Sequence, residues 1–273
     1  MKTLPLLPAI LAFATLTACS SLPNLPGAPG SVQRSTSSTV PRTQLWDMTQ
    51  KCIATAGTPD SPPACIHVER AQGLDHGYLV LKDMKGTSHF LVIPTVQVTG
   101  IEDAKLLRDN SPNYWKFAWD QREQVSLALG KKIPDAELGL AANPPFARSQ
   151  DQLHIHIDCV KPDVLTELNR QRTEGKIGSD WSAPMILGDA TYEVRFLARK
   201  TLKKNNPFKV LAKHLQPGDQ MGLHTLVVVR AEGAGGADGG FYLIDGHRAA
   251  DDTTTPVHGE ALLDLNCQQT LAQ

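Results

Sequence analysis

Residues Gln152-Leu153-His154-Ile155-His156 place a carboxamide and two imidazoles at alternate positions, with apolar residues between them. Side chains alternate across a β-strand, so in an extended segment Gln152, His154, His156 and Asp158 share one face, while Leu153, Ile155, Ile157 and Cys159 share the other. Three uses are open to such a row. It can decorate a solvated strand, hold a metal ion through paired imidazoles, or present a nucleophilic nitrogen that its neighbours orient by hydrogen bonds.

The elements that must position this row can be read from hydrophobic periodicity. Residues 77–82 and 89–94 are short apolar runs separated by the turn-like Asp83-Met-Lys-Gly86, which predicts a β-hairpin. Ser111-Pro112 predicts the start of one helix, with Trp115, Ala118, Trp119, Arg122, Val125, Ser126 and Leu129 on a mostly apolar face and Gly130 at its end. Residues 137–142 read as a strand, Pro144-Pro145 breaks the pattern, and residues 153–159 form the next strong strand. Beyond them, 164–171 reads as helical, 192–197 as extended and 207–215 as helical. A second hairpin is predicted from 225–230 and 240–245, joined by the glycine-rich interval 231–239. This order gives an α+β fold, an antiparallel sheet with packed helices. The second hairpin echoes the first, as in two related halves of which the second lacks the histidine row; they are treated as one compact unit.

Composition limits what the row can serve. The 273 residues, 41% hydrophobic and 20% charged, suffice for a real core. Lys plus Arg number 27 against 28 Asp plus Glu, so no general field attracts a polyanion, and nucleic acid is not an expected partner. Any phosphate the protein handles must therefore be recognised locally, by a few placed donors, which points to a pocket. Met1-Lys2, the apolar run from Leu4 to Leu16 and Leu16-Thr17-Ala18-Cys19 resemble a bacterial lipoprotein signal. The expectation is a signal over residues 1–19 with Cys19 lipidated, a periplasm-facing place in the cell envelope, and, from Ser20, the outer membrane. Residues 20–43, rich in Pro, Gly, Ser and Thr, read as a flexible tether that lets a domain at 44–273 range over the membrane surface. The other four cysteines allow three pairings in an oxidising compartment. Cys52–Cys65 is chosen because Gly57, Pro59, Pro62 and Pro63 mark a turn-rich loop between them; Cys159–Cys267 follows, bracing the end of the histidine strand. No cysteines have the close spacing of a zinc knuckle, so no metal and no cofactor are expected.

The strand resembles the histidine-triad superfamily, in which histidines alternate with apolar residues and the middle one attacks an α-phosphorus. His89-Phe-Leu-Val-Ile-Pro94 followed by Val98-Thr-Gly-Ile-Glu-Asp103 looks like that superfamily's strand, proline and helix-start region. Within it, Asn110-Ser-Pro-Asn-Tyr-Trp115, Ala141-Ala-Asn143, Leu153-His-Ile-His-Ile157, Cys159 and Lys161-Pro162-Asp163 resemble the CDP-diacylglycerol pyrophosphatase family. The likeness covers most of residues 45–270 and is densest from 78 to 164. It implies hydrolysis of CDP-diacylglycerol to CMP and phosphatidate at a membrane surface. His154 would be the nucleophile and His156 its charged helper, and Asn143 and Ser149 occupy places where the superfamily carries phosphate-contacting groups. Asn143 reads equally well as a turn residue before Pro144. One departure stands out, because Gln152 replaces the superfamily's first histidine. A carboxamide donates and accepts hydrogen bonds but does not titrate near neutral pH, so an orienting role survives and proton transfer does not. The other seven histidines, His67, His76, His89, His214, His224, His247 and His258, read as surface or packing residues. Two further readings remain: a broader nucleotidyl hydrolase or transferase acting on soluble nucleotides, and a non-catalytic nucleotide-binding lipoprotein.

Overall fold

Each predicted apolar run becomes a strand, and every strand pairs antiparallel with its neighbour. The computed structural model describes residues 40–198, 201–233 and 239–268. The expected lipoprotein signal with Cys19, and the expected tether up to residue 39, lie outside them. In chain order the elements are α1 (Gln44–Thr55), β1 (Cys65–Glu69), β2 (Tyr78–Lys82), β3 (Phe90–Pro94), α2 (Tyr114–Asp120), α3 (Glu123–Leu129), β4 (Leu138–Ala142), β5 (Ile155–Val160), α4 (Pro162–Thr173), β6 (Met185–Leu187), β7 (Ala190–Leu197), α5 (Pro207–Ala212), β8 (His224–Ala231), β9 (Gly240–His247) and β10 (Leu263–Asp264). The sheet runs β1-β2-β3-β5-β4-β8-β9-β7-β6, and β10 pairs with the far end of β5.

Alternation along the strands sorts the core into layers. One face carries a continuous cluster that includes Val80, Val92, Leu140, Ile155, Ile157, Val228 and Leu243, packed against Trp115 and Ala118 of α2, Val125 of α3 and Phe208 and Leu211 of α5. The other face carries two separate clusters. At one end Leu79, Leu81, Leu91 and Ile93 pack with Leu45 and Cys52 of α1. At the other, Val227, Val229, Tyr242 and Ile244 pack with Val164 and Leu168 of α4. His156 stands in register with Leu91 of the first cluster on one side and Ala141 of the second on the other. The polar row thus lies on the seam between two apolar patches, each burying side chains worth about 1.5–3 kcal/mol apiece.

The sequence reading set the hairpin β8–β9 beside β2–β3, whereas the topology matches it with β4–β5. The hairpin β2–β3, the helices α2–α3 and the hairpin β4–β5 are followed by β6–β7, α5 and β8–β9. In the first set β5 lies between β3 and β4; in the second β9 lies between β7 and β8. The halves meet where β4 pairs with β8, Leu140 opposite Val228.

Several expectations need adjustment. The helix expected from Ser111 to Gly130 is two helices, interrupted where the Gln121 N–H turns back to the Phe117 and Ala118 carbonyls. Its cap is Asn113, whose Oδ1 accepts from Lys116 N–H at 3.2 Å while its Nδ2 donates to the Leu202 carbonyl at 2.8 Å. Gly130 closes α3 in the left-handed region, φ 61°. The helix α1 and the strands β1 and β6 have no counterpart in the sequence reading. Both expected disulfides form, Cys52–Cys65 and Cys159–Cys267, with Cα–Cα distances of 5.7 and 5.3 Å. In the chain-entropy picture they contribute about 3 kcal/mol for the short loop and on the order of 4 to 5 kcal/mol for the long one. Arg42, at the end of the segment read as a tether, already joins the folded body: its guanidinium donates twice to Asp151, at 2.8 Å each, and once to the Arg148 carbonyl.

Candidate active site

The row sits where β5 begins, and its members differ in what they touch. His154 Nδ1 lies 2.7 Å from the Gln152 carbonyl oxygen. A carbonyl only accepts, so Nδ1 carries the proton and Nε2 keeps its lone pair. His154 is 9% exposed, against 4% for His156 and none for Gln152 or Asp158; it is the member of the row with the most access to substrate.

The Gln152 side chain faces elsewhere. Its Oε1 accepts from Val98 N–H at 3.2 Å, and its Nε2 donates to the carbonyls of Pro94 and Val96 at 3.1 and 2.9 Å. Three backbone partners exceed what the two nitrogens of an imidazole could serve, which gives the departure from histidine a physical reason. Gln152 therefore supports His154 by fixing the 94–98 segment and by its own backbone carbonyl.

His156 is held from both sides. Its Nδ1 is 2.8 Å from His89 Nε2, and His89 Nδ1 is 3.0 Å from Asp158 Oδ2. Asp158 Oδ1 also accepts from the Ser88 hydroxyl and the Cys159 N–H, at 2.7 and 2.8 Å. The resulting chain, Asp158 to His89 to His156, ends at His156 Nε2, which faces Asn143 Nδ2 at 3.5 Å and Glu260 Oε2 at 3.7 Å. His89 is thus no surface or packing residue but the central link. His258 stays partly exposed, as a surface residue, and its Nε2 lies 3.3 Å from Asn143 Nδ2 and 3.6 Å from Glu260 Oε2.

Asn143 organises this side of the site. Its Oδ1 accepts from the Gly259 and Glu260 N–H groups at 3.0 and 3.4 Å, so a 3-10 turn at Gly259–Leu262 is docked over β4 and β8. Gly259 is required there, because a Cβ would stand 2.5 Å from Thr225 Oγ1. Ser149, expected beside the phosphate, is exposed and makes none of the hydrogen bonds described. The residue before it, Arg148, is buried, with its guanidinium on Glu102 at 2.6 and 2.8 Å. No sequence signal marked His89 or Glu260, since only strand pairing and the docked turn bring them to His156.

Burial sets the protonation of the row. It pulls His154 below the ordinary imidazole value, with the Gln152 carbonyl opposing in part. It pulls His156 well below, helped by the charges of His154, His89, His258 and Lys85. Burial pushes Asp158 up, against hydrogen bonds from His89 and Ser88. At neutral pH both imidazoles of the row are uncharged. Asp83, His89 and His156 bring donor atoms within 4.8 Å of one another, and within that group His89 Nε2 and His156 Nδ1 are bonded to each other at 2.8 Å.

The site can therefore offer an unprotonated nitrogen at His154 Nε2, a proton-accepting chain behind His156 Nε2, and carboxamide donors at Asn143. That set suits nucleophilic substitution at phosphorus. Comparison with known proteins agrees. The family model described as CDP-diacylglycerol pyrophosphatase matches residues 40–271. A CDP-diacylglycerol pyrophosphatase of Yersinia pestis is 35% identical over 228 residues, covering 82% of this chain and 83% of the relative. The row, its relay and both disulfides lie within the matched span, and the chain belongs to the CDP-diacylglycerol pyrophosphatase family.

Proposed function

We propose that this hydrolase cleaves CDP-diacylglycerol to CMP and phosphatidate in two in-line steps through a nucleotidyl-histidine on His154. In the first, the Nε2 lone pair attacks the phosphorus bearing cytidine. An N–P bond forms, the P–O bond to phosphatidate breaks, and phosphatidate leaves as the anion. Positive charge develops on the ring and is met by the Gln152 carbonyl at Nδ1–H. In the second step, water attacks the same phosphorus, the N–P bond breaks and the lone pair returns to Nε2. The water proton passes to neutral His156, whose imidazolium is shared with His89 and Asp158. Phosphatidate is a good leaving group, so positioning and charge stabilisation carry more of the catalysis than acid assistance. Asn143 Nδ2 supplies a donor for nonbridging oxygens. The chain works from the periplasmic face of the envelope, anchored through Cys19 and tethered by the segment from residue 20 to the start of the folded body near Arg42, with substrate presented in the membrane surface.

The observation that carries this reading is the His154 Nδ1 contact with the Gln152 carbonyl, which leaves the other nitrogen of that histidine with its lone pair free. The test is to quench turnover of CDP-diacylglycerol labelled in the cytidine phosphate and map the label on the protein. Label on His154, and none in His154→Ala, is the expected result. Full activity in His154→Ala would exclude it as nucleophile. Turnover of a soluble dinucleotide at the same rate would move the reading toward a broader nucleotidyl hydrolase.

A further inference from the structure

A second cluster of histidines and carboxylates lies at the end of β8 and β9. Alternation puts His224 on the side of Leu226 and Val228, and Asp245 on the side of Leu243, so this cluster is on the sheet face opposite the catalytic row. Asp245 is 3% exposed, and its two oxygens stand 2.9 and 3.0 Å from His224 Nδ1. On the other side of the ring, Asp219 Oδ2 is 2.9 Å from His224 Nε2. Asp219 Oδ1 is also 3.6 Å from His247 Nε2. These groups line a cavity of about 270 Å³, together with Glu193 and His214, which are joined at 2.8 Å.

Two features ask for a cation. Asp245 on His224 Nδ1 fixes the ring orientation and directs Nε2 at Asp219, so a ring nitrogen and a carboxylate oxygen converge on the cavity. Charge points the same way. Three carboxylates, of Asp219, Asp245 and Glu193, line the cavity, and among the described residues neither lysine nor arginine does. The three donors that remain, Asp219, His224 Nε2 and His247 Nε2, all lie within 4.8 Å of one another. At metal–ligand distances of about 2.0–2.2 Å, neighbouring ligand atoms of a tetrahedron are about 3.3–3.5 Å apart. Asp219 spans the two imidazoles at comparable distances, Oδ2 standing 2.9 Å from His224 Nε2 and Oδ1 3.6 Å from His247 Nε2.

We propose that Asp219, His224 and His247 bind a divalent first-row transition ion, zinc being the best match to a set of two imidazoles and a carboxylate, with water in the remaining position. Asp245 is the positioning residue, orienting His224 as carboxylates orient metal-bound histidines. The ion ties the loop carrying Asp219 to the β8–β9 hairpin. It stands apart from the catalytic row and takes no part in the hydrolysis proposed above.

The experiment uses the purified full-length protein, stripped with chelator and titrated with Zn²⁺ by calorimetry, and with Co²⁺ as an optical probe. One equivalent should bind, and Co²⁺ should develop the visible bands of a low-coordinate site. His247→Ala, at a half-exposed position that does not endanger folding, and Asp219→Asn should each weaken binding at least about tenfold. Asp245→Asn should weaken it about 10- to 100-fold, and His156→Ala should leave it unchanged. No stoichiometric binding would overturn the proposal and make His224 an imidazolium clasped by two aspartates. Binding lost in His156→Ala and kept in His247→Ala would also overturn it, by placing the ion on the catalytic row.

Discussion

The two halves of the sheet share a topology and differ in one face. In the first half, β5 lies between β3 and β4 and turns His156 and Asp158 toward the seam between two apolar clusters. In the second half, β9 lies in the matching place between β7 and β8, and on the same sheet face it shows Tyr242, Ile244 and Gly246. Tyr242 and Ile244 are packed beneath α4, with Val164 and Leu168. The face packed against α2, α3 and α5 carries one continuous apolar cluster through both halves, with His224 and Asp245 at its edge, while the other face holds the histidine row in the first half and an apolar cluster in the second. Electrostatics diverge in parallel. In the first half burial holds His154 and His156 neutral, whereas burial of His224 is outweighed by Asp245 and Asp219, which together raise it.

The largest expected effect sharpens that asymmetry. His154→Ala should lower the rate of CMP release by about 10⁴-fold or more, as loss of a nucleophile does, with an unchanged circular dichroism spectrum. Tyr242→Phe, on the matching strand of the second half, removes a hydroxyl that donates to Asn169 Oδ1 at 3.1 Å and should leave turnover as it was. A comparable loss in both variants would break the comparison.

Next come the relay residues. His156→Ala should cost about 10²–10⁴-fold in kcat, the range for a general base. His89→Ala and Asp158→Asn act only through His156, so each should cost less, lower kcat more than it raises KM, and shift the pH profile. Equal losses in all three would mean that the chain acts as one unit.

The pH dependence of stability gives a third test. In the unfolded chain His154 and His156 take up protons near pH 6.5, and in the folded row they do so only at lower pH. Between those limits the unfolded state binds more protons, so stability falls as pH drops below about 6.5. Chemical denaturation of His156→Gln across that range should show a shallower acid loss than the parent. A loss equally steep would show that His156 is not held neutral by burial. The acid limb of kcat/KM should likewise lie below the value of an ordinary histidine.

Legibility in sequence followed the range of the interaction. The row and both hairpins were readable because alternation and turn residues are local, whereas the match of β8–β9 with β4–β5 depends on sheet order and was not. The cysteine pairing was readable because few combinations exist and one loop is rich in turns. His89 was not, since its partner Asp158 is 69 residues away and only the pairing of β3 with β5 brings them together. Glu260 and His258 arrive from a turn held by Asn143, and nothing in their neighbours announces it. The helix α1 buries only Leu45, Thr49 and Cys52, too thin a stripe to stand out, and it rests on the disulfide to β1. The break between α2 and α3 carries neither glycine nor proline.

Gln152 gives the smallest effect on turnover and the most exact test of how the row is held. Its side chain ties the segment from Pro94 to Val98 to the start of the histidine strand, whereas His154 depends on its backbone carbonyl. Gln152→Ala leaves that carbonyl in place and strips the partners from one buried N–H and two carbonyls. Unsatisfied buried groups cost about 1–3 kcal/mol each, so the variant should lose stability measurably in urea and only about tenfold or less in activity. Gln152→His should recover part of the stability, because imidazole can serve two of the three partners but not all. If Gln152→Ala were as inactive as His154→Ala while still folded, the carboxamide itself would have to contact substrate, and the division between backbone and side-chain roles would be wrong.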